Sequence, residues 1–290
     1  MTDRIDIISP VNLAQLDHIL EKLRKPATYV AGATDIMVQK SRWEQAGTLI
    51  DLRTVQELVS TLEIGPEGIL IGAALSFTDI IRYRIIQEKF PILVESCRQI
   101  GSVQIQNRAT LGGNIANASP AGDTLPVLAV LNAELWIGPR LKDNFTKMSV
   151  DEIMTGPGKN CLQPNQYIAY IYLPFPEPTD PFWYFRKVGQ RYSMAISKLS
   201  LAVLGWKHNN HIREIRICAG SVSPRIKRAV LTEKLLSNQE LNSKVIEKAA
   251  TQLMKEIKPI TDIRSTHNYR KSTAGRLLQE SLSTWARAGK

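Results

Sequence analysis

Residues 110–123 read Thr110-Leu111-Gly112-Gly113-Asn114-Ile115-Ala116-Asn117-Ala118-Ser119-Pro120-Ala121-Gly122-Asp123. The run is poor in bulky side chains and rich in groups that expose backbone N–H. Chain without side chains approaches a ligand closely, and successive N–H groups form a concavity that suits an anion. Diphosphate is the natural occupant. Asn114, Asn117, Ser119 and Asp123 add polar groups suited to sugar hydroxyls.

A second small-residue loop lies upstream, at Val30-Ala31-Gly32-Ala33-Thr34-Asp35-Ile36. It follows a strand-like run, Thr28 to Ala31, and the pattern beyond it predicts a helix through Met37 toward Trp43. A strand-to-helix turn would aim N–H groups and the positive end of the helix dipole at an anion. Two such loops in one chain suit a ligand with two phosphates, held from both sides. Neither is a Rossmann fingerprint or a P-loop, because no GxGxxG and no Gly-x4-Gly-Lys-Ser/Thr occurs. Gly156-Pro157-Gly158-Lys159 reads as a turn. On composition alone each loop reads equally as a structural turn. Asp35 and Asp123 read equally as helix caps, Thr34 as an N-cap, Ile100 as core and Lys187 as an exposed strand residue.

Outward from the loops, helices and strands alternate without a repeat. Pro10 to Lys25 is expected to be a helix capped by Asn12, with Leu13, Leu16, Ile19, Leu20 and Leu23 at helical spacing. Thr48 to Leu52, Val59 to Ile64, Ile69 to Ile71 and Glu134 to Ile137 read as strands. Phe77 to Ile86, Pro91 to Ile100 and Ala121 to Leu131 read as helices. Pro174, Pro176, Pro178 and Pro181 mark a connector, since proline lacks the backbone donor an element interior needs. Three strands follow, Phe182 to Val188, Lys198 to Lys207 and Ile212 to Ala219, the last two joined by a turn at His208-Asn209-Asn210-His211. The remainder is helical. This gives an α+β chain divided at residues 1–55, 56–175 and 176–290.

The 290 residues are 43% hydrophobic and 22% charged, which excludes disorder and fibrous repeats. No run approaches the roughly 18 apolar residues of a membrane span, and Met1 to Asp6 lacks the apolar core of a signal peptide. Cys97, Cys161 and Cys218 are too few and too scattered for a disulfide framework or a four-thiolate cluster, so a reducing cytoplasmic setting is expected. His208 and His211 have no cysteine partner nearby, and no metal site is expected. Net charge is +10, and from Arg225 to Lys290 fourteen basic residues face six acidic ones. Without interleaved aromatics or a helix-turn-helix pattern this reads as a solvated basic face, not a nucleic-acid site.

Taken together, the two loops resemble those of the FAD-binding medium subunit of the xanthine dehydrogenase family of molybdenum hydroxylases. Ala31-Gly32-Ala33-Thr34-Asp35 resembles its AGGTD loop, with Ala33 where glycine is usual. Residues 110–123 resemble its TxGGNxxxASPxxD loop. Ile71 to Ala74, Ile100 to Asn107, Thr155 to Lys159, Phe185 to Arg191 and Ala219 to Pro224 follow in family order, with Gln106 at a common arginine position. The resemblance implies two FAD-binding subdomains, PCMH-like, followed by a C-terminal domain of a small antiparallel sheet plus helices. It implies a cofactor site at Tyr29, Val30, Ala31, Gly32, Ala33, Thr34, Asp35, Ile36, Ile100, Gly101, Ala109, Thr110, Gly113, Asn114, Ala116, Gly122, Asp123 and Lys187. Residues 32–34 and 113–114 would hold the diphosphate, Asp123 the ribose or ribityl hydroxyls. Lys187 would sit by the ring's polar edge, favouring the anionic reduced flavin. It implies partners too: a molybdopterin-binding large subunit and a [2Fe-2S] small subunit, with electrons leaving FAD for NAD+ or another acceptor. Xanthine is the type substrate, with aldehyde, carbon monoxide, nicotinate or an aromatic CoA thioester as alternatives. A scaffold that keeps the fold without the cofactor is the non-catalytic alternative.

Overall fold

Parallel pairing of short strands needs crossover connections, and the first fifty residues supply them. The computed structural model describes residues 5–39, 47–141, 144–191 and 193–288. Strands β1 (Asp6–Ile8), β2 (Thr28–Val30) and β3 (Thr48–Asp51) form a parallel sheet in the order β1-β3-β2. Helix α1 (Leu13–Lys22) covers it and buries Leu13, Leu16 and Leu20. The Asn12 side chain accepts the Gln15 amide and fixes the start, so the helix is shorter than the expected Pro10 to Lys25. Its end precedes Pro26, and the residue before a proline disfavours helical ψ. In the described part of the helix expected through Met37 toward Trp43, Ile36–Val38 form a 3₁₀ turn, and residues 40–46, Trp43 among them, lie outside the described residues.

The middle segment wraps a five-stranded antiparallel sheet. Helix α2 (Gln56–Ser60) precedes β4 (Leu62–Ile64) and β5 (Gly68–Gly72). Val59 and Ser60, expected in a strand, are therefore helical; fully buried Val55 and Leu58 bracket one turn against the core. Six helices follow: α3 (Phe77–Arg82), α4 (Arg84–Lys89), α5 (Pro91–Arg98), α6 (Val103–Gln106), α7 (Leu111–Ala116) and α8 (Thr124–Val130). The single helix expected over Phe77 to Ile86 breaks because Tyr83 is extended, at ψ 116°. Strands β6 (Glu134–Leu141), β7 (Asn144–Ser149) and β10 (Tyr167–Pro174) complete the sheet β4-β5-β10-β6-β7, with a small hairpin, β8 (Met154–Gly156) and β9 (Lys159–Asn160), between β7 and β10. That hairpin turns at residues 156–159, as the sequence implied. Both faces of β10 are covered: Tyr167 and Ala169 pack toward α1, Ile168, Ile171 and Leu173 toward the helices.

The last segment is an antiparallel sheet, β11 (Phe182–Val188), β12 (Leu199–His208), β13 (His211–Gly220) and β14 (Lys227–Arg228). Asn209 and Asn210, at φ 49° and 63°, make the expected hairpin turn. Helices α9 (Val230–Leu236), α10 (Ser243–Glu256) and α11 (His267–Ala288) cover one face. Strand alternation divides β12 between two cores: Leu199, Leu201 and Val203 meet these helices, whereas Ala202, Leu204 and Trp206 meet the middle segment. Trp285 locks α11 down. Its ring stacks on Phe182 with centroids 5.0 Å apart and lies over Gly205, where an added Cβ would sit 2.6 Å from the indole. Among the described residues no helix is long and apolar enough to cross a membrane. Trp285→Ala is expected to destabilise the chain by about 3–5 kcal/mol, the range for emptying a buried aromatic site, read by denaturant unfolding.

Candidate functional site

The two loops touch. A Cβ at Gly32 would lie 2.1 Å from the Arg108 carbonyl oxygen and 2.7 Å from Ala109 Cα, so only glycine lets the first loop close on the second. Gly112 is pressed in the same way against Ala73, whose Cβ and carbonyl oxygen are 2.6 and 2.7 Å from the added atom. Beyond Gly32 the chain reverses through Ala33, held at φ 62°. The left-handed turn expected of glycine is thus made by alanine, at a cost of roughly 1 kcal/mol. The N–H groups of Gly32, Ala33 and Thr34 find no hydrogen-bond partner among the described residues. Among the described residues a 3₁₀ turn, Ile36–Val38, follows these donors.

The second loop behaves differently from expectation. Its amides are already used: Leu111 donates to the Leu75 carbonyl, Gly112 to Ala73, Gly113 to the Thr110 hydroxyl and Asn114 to the Thr110 carbonyl. They form the first turn of α7 and its attachment to the core, not a phosphate cradle. What this loop offers is the side chain of Asn114. Thr124 Oγ1 donates to Asn114 Oδ1 at 2.7 Å, which leaves the Asn114 amide nitrogen as the donor. Gly113 keeps that wall low, since the only atom near its missing Cβ is Thr110 Oγ1 at 2.7 Å.

Between the loops lies a cleft of about 850 Å³. All the site residues inferred from sequence line it: 29–36, 100, 101, 109, 110, 113, 114, 116, 122, 123 and 187. Gly101, at φ 59°, turns the chain along one edge. Gln106 Nε2 donates to the carbonyls of Arg98 and Ile100, both at 3.0 Å, and staples this turn where an arginine is usual. Ile100, Ile105 and Ala109 give the cleft an apolar wall.

Its floor is charged. Asp123 Oδ2 and Lys187 Nζ are 2.7 Å apart, with side chains 5% and 7% exposed. Lys187 also donates to the Gln99 carbonyl at 2.8 Å. Lys187 is therefore no exposed strand residue, and Asp123, though it precedes α8, makes no capping bond to it. Asp35 makes none to its 3₁₀ turn either. Burial pushes the Asp123 carboxyl up, and the neighbouring Lys187 pulls against it. Among the described residues three buried oxygens on the cleft lining make no well-aligned hydrogen bond: the Tyr29 hydroxyl, Asp123 Oδ1 and Ser197 Oγ, the last lying beside the Asp123 carboxyl.

Sequence reading missed part of the lining. Residues 162–164, 166 and 194–197 and Arg264 contribute, and none carries a glycine signature. Residues 194–197 arrive because β11 and β12 are antiparallel, which returns the chain beside Lys187. The Met194 amide donates to the Gly101 carbonyl at 3.4 Å. The register of the two strands, with Lys187 opposite Ser200, was the available signal.

Free amides for an anion, a lone carboxylate oxygen for a hydroxyl and an apolar wall for a ring fit a flavin nucleotide. The known proteins agree. Residues 3–176 match the family model described as FAD binding domain in molybdopterin dehydrogenase, and residues 183–284 match the CO dehydrogenase flavoprotein C-terminal domain. The chain is 26% identical over 288 residues to the carbon monoxide dehydrogenase medium chain of Hydrogenophaga pseudoflava, covering 98% of each. It is 26% identical over 246 residues to the xanthine dehydrogenase FAD-binding subunit of Escherichia coli O157:H7, covering 84% of this chain and 83% of that one. A solved carbon monoxide dehydrogenase from H. pseudoflava shares the fold over 99% of both chains, at a TM-score of 0.90 and 24% identity. The chain belongs to the FAD-binding family of molybdopterin dehydrogenases, and is the FAD subunit of an oxidoreductase of the molybdenum hydroxylase class.

Proposed function

We propose that this chain carries FAD between the [2Fe-2S] clusters of a partner small subunit and NAD+ or another acceptor, with a molybdopterin-binding large subunit oxidising the substrate. A xanthine dehydrogenase type of complex is the reading adopted. The carbon monoxide dehydrogenase and xanthine dehydrogenase relatives share the same 26% identity, over 288 and 246 residues. In this reading the substrate is a property of the large subunit. The observation that carries the proposal is the convergence, on one cleft, of the free amides of residues 32–34 and the lone Asp123 oxygen.

In this reading the N–H groups of Gly32, Ala33 and Thr34 bind the diphosphate, and the Asn114 amide donates from the facing wall. Asp123 Oδ1 accepts a ribose or ribityl hydroxyl, a charge-assisted bond for a buried acceptor. Ile100 and Gly101 flank the ring. When bound, FAD supplies the electron-transfer chemistry, taking up and giving out electrons singly or in pairs. The chain's own residues bind, orient and exclude water. Cys97 and Cys218 are buried thiols, the first pushed up to about 12 by burial, and serve packing. The three larger sheets suit a division at 1–55, 56–175 and 176–290, with the third part supporting the cleft through Lys187.

The purified chain is expected to be yellow or to take up added FAD stoichiometrically; a colourless chain that ignores FAD overturns the proposal and favours a scaffold. Gly113→Val, which fills the low wall, should abolish uptake while the far-ultraviolet dichroism stays unchanged. Ala33→Gly relieves a left-handed alanine worth roughly 1 kcal/mol but frees the unfolded chain by about 0.4–1 kcal/mol. It should therefore leave stability within about 1 kcal/mol and retain FAD uptake, checked by thermal unfolding and flavin titration.

A further inference from the structure

The Asp123–Lys187 pair spans two parts of the fold. Asp123 stands at the head of α8, and Lys187 comes from β11 of the last sheet. Both are almost wholly buried, at a separation of 2.7 Å. Taking two charges out of water is costly, and a pair of apolar side chains would fill the same space with equal or better stability. The pair is also asymmetric. Lys187 engages Oδ2 and the Gln99 carbonyl, whereas Oδ1 is buried without a well-aligned hydrogen bond, with the Ser197 hydroxyl as the neighbouring donor, and belongs to a residue lining the cleft. A buried carboxylate oxygen has room for more than one donor, and one so poorly satisfied points to a ligand that supplies another.

We infer that Lys187 is a positioning residue for the cofactor: by holding Oδ2 of Asp123 it keeps this carboxylate ionised, with Oδ1 free to accept a hydroxyl of the flavin nucleotide. The inference rests on FAD occupying the cleft, as proposed above. It gives Lys187 a different task from the ring-edge cation that the family resemblance implies, because two of its ammonium donors are already committed. Around Asp123, β11 brings Lys187, the turn after α5 brings the Gln99 carbonyl that fixes Lys187, and the segment before β12 brings the Ser197 hydroxyl. The other charged residues lining the cleft are engaged elsewhere: Arg264 with Asp262 at 2.8 Å, and Asp35 with the Gln39 side-chain amide at 3.2 Å. Burial favours the neutral acid at Asp123; Lys187, by its charge and its hydrogen bond, and the Ser197 hydroxyl oppose it. A neutral acid would lose the charge that makes Oδ1 a strong acceptor. Seating of the last sheet is thereby coupled to the affinity of the cleft.

The test is titration of FAD-stripped full-length chain with FAD, followed by flavin fluorescence from about pH 6 to pH 9, a window in which a desolvated carboxyl can titrate. The unaltered chain should bind with little pH dependence. Lys187→Met should bind about tenfold more weakly at the acid end, the scale of one charge-assisted hydrogen bond, and recover as the pH rises and Asp123 ionises. Lys187→Arg should restore flat, tight binding. Asp123→Asn should weaken FAD binding by a similar factor, and adding Lys187→Met to it should weaken it no further. The double variant leaves no buried charge unpaired, and its comparison with the unaltered chain and with Asp123→Asn carries the test if Lys187→Met does not fold. A loss in Lys187→Met that is equal at every pH, or that adds in full to that of Asp123→Asn, would overturn the inference and mark a direct contact between Lys187 and the cofactor. Failure of the unaltered chain to bind FAD sinks the flavin reading itself, which separates that failure from the first.

Discussion

No side chain fits at residue 32, and most of the site follows from that. With a Cβ there, the loop after β2 would stand off from Arg108 and Ala109 by the thickness of a methyl group. The parallel sheet and the antiparallel one would then part at the edge of the cleft, which residues 32 and 109 both line. Contact of backbone on backbone fixes their distance as no pair of side chains could, because it has no rotamers to vary. It also leaves Gly32, Ala33 and Thr34 facing the cleft with unspent N–H groups, since the chain there belongs to neither sheet nor helix. Close approach and free donors are two consequences of one missing atom.

The opposite wall works by the reverse strategy. Residues 110–114 spend their amides on the core and on the Thr110 cap, which makes α7 rigid. Recognition then passes to a side chain, Asn114, whose orientation is set by Thr124 on the next helix. Backbone donors on one wall thus face a side-chain donor on the other.

The loops were legible in the sequence because glycine is rare where close approach is not needed, so Gly32, Gly112 and Gly113 advertise themselves. The antiparallel hairpin at Asn209-Asn210 and the Asn12 cap were legible for the same local reasons. The fate of the amides was not. Whether Gly113 N–H meets a ligand or the Thr110 hydroxyl depends on a cap geometry that composition does not encode. Nor was the burial of Lys187, which reads as an ordinary strand lysine until α5 and α8 are packed over β11. Residues 194–197 had no local signature at all; strand pairing brings them to the cleft, and pairing is a long-range property. The helix expected at 77–86 failed at Tyr83, where burial of hydrophobic residues on both sides of the break outweighs continuity of the helical pattern.

A consequence concerns where specificity resides. The polar groups brought to the cleft are backbone amides, hydroxyls, carboxamides, the carboxylates of Asp35 and Asp123, the Lys187 ammonium group and the Arg264 guanidinium. They are equipped to grip and orient, and general acid–base chemistry is not among their evident uses. Two relatives named for different substrates share 26% identity with the chain, over 288 and 246 residues. The sheet formed by β11–β14 then has a reason to share a core with the middle segment through Ala202, Leu204 and Trp206. A cleft floored by an ion pair drawn from two parts of the fold stays aligned only if those parts cannot slide, and a strand buried on both faces is a firm way to prevent it.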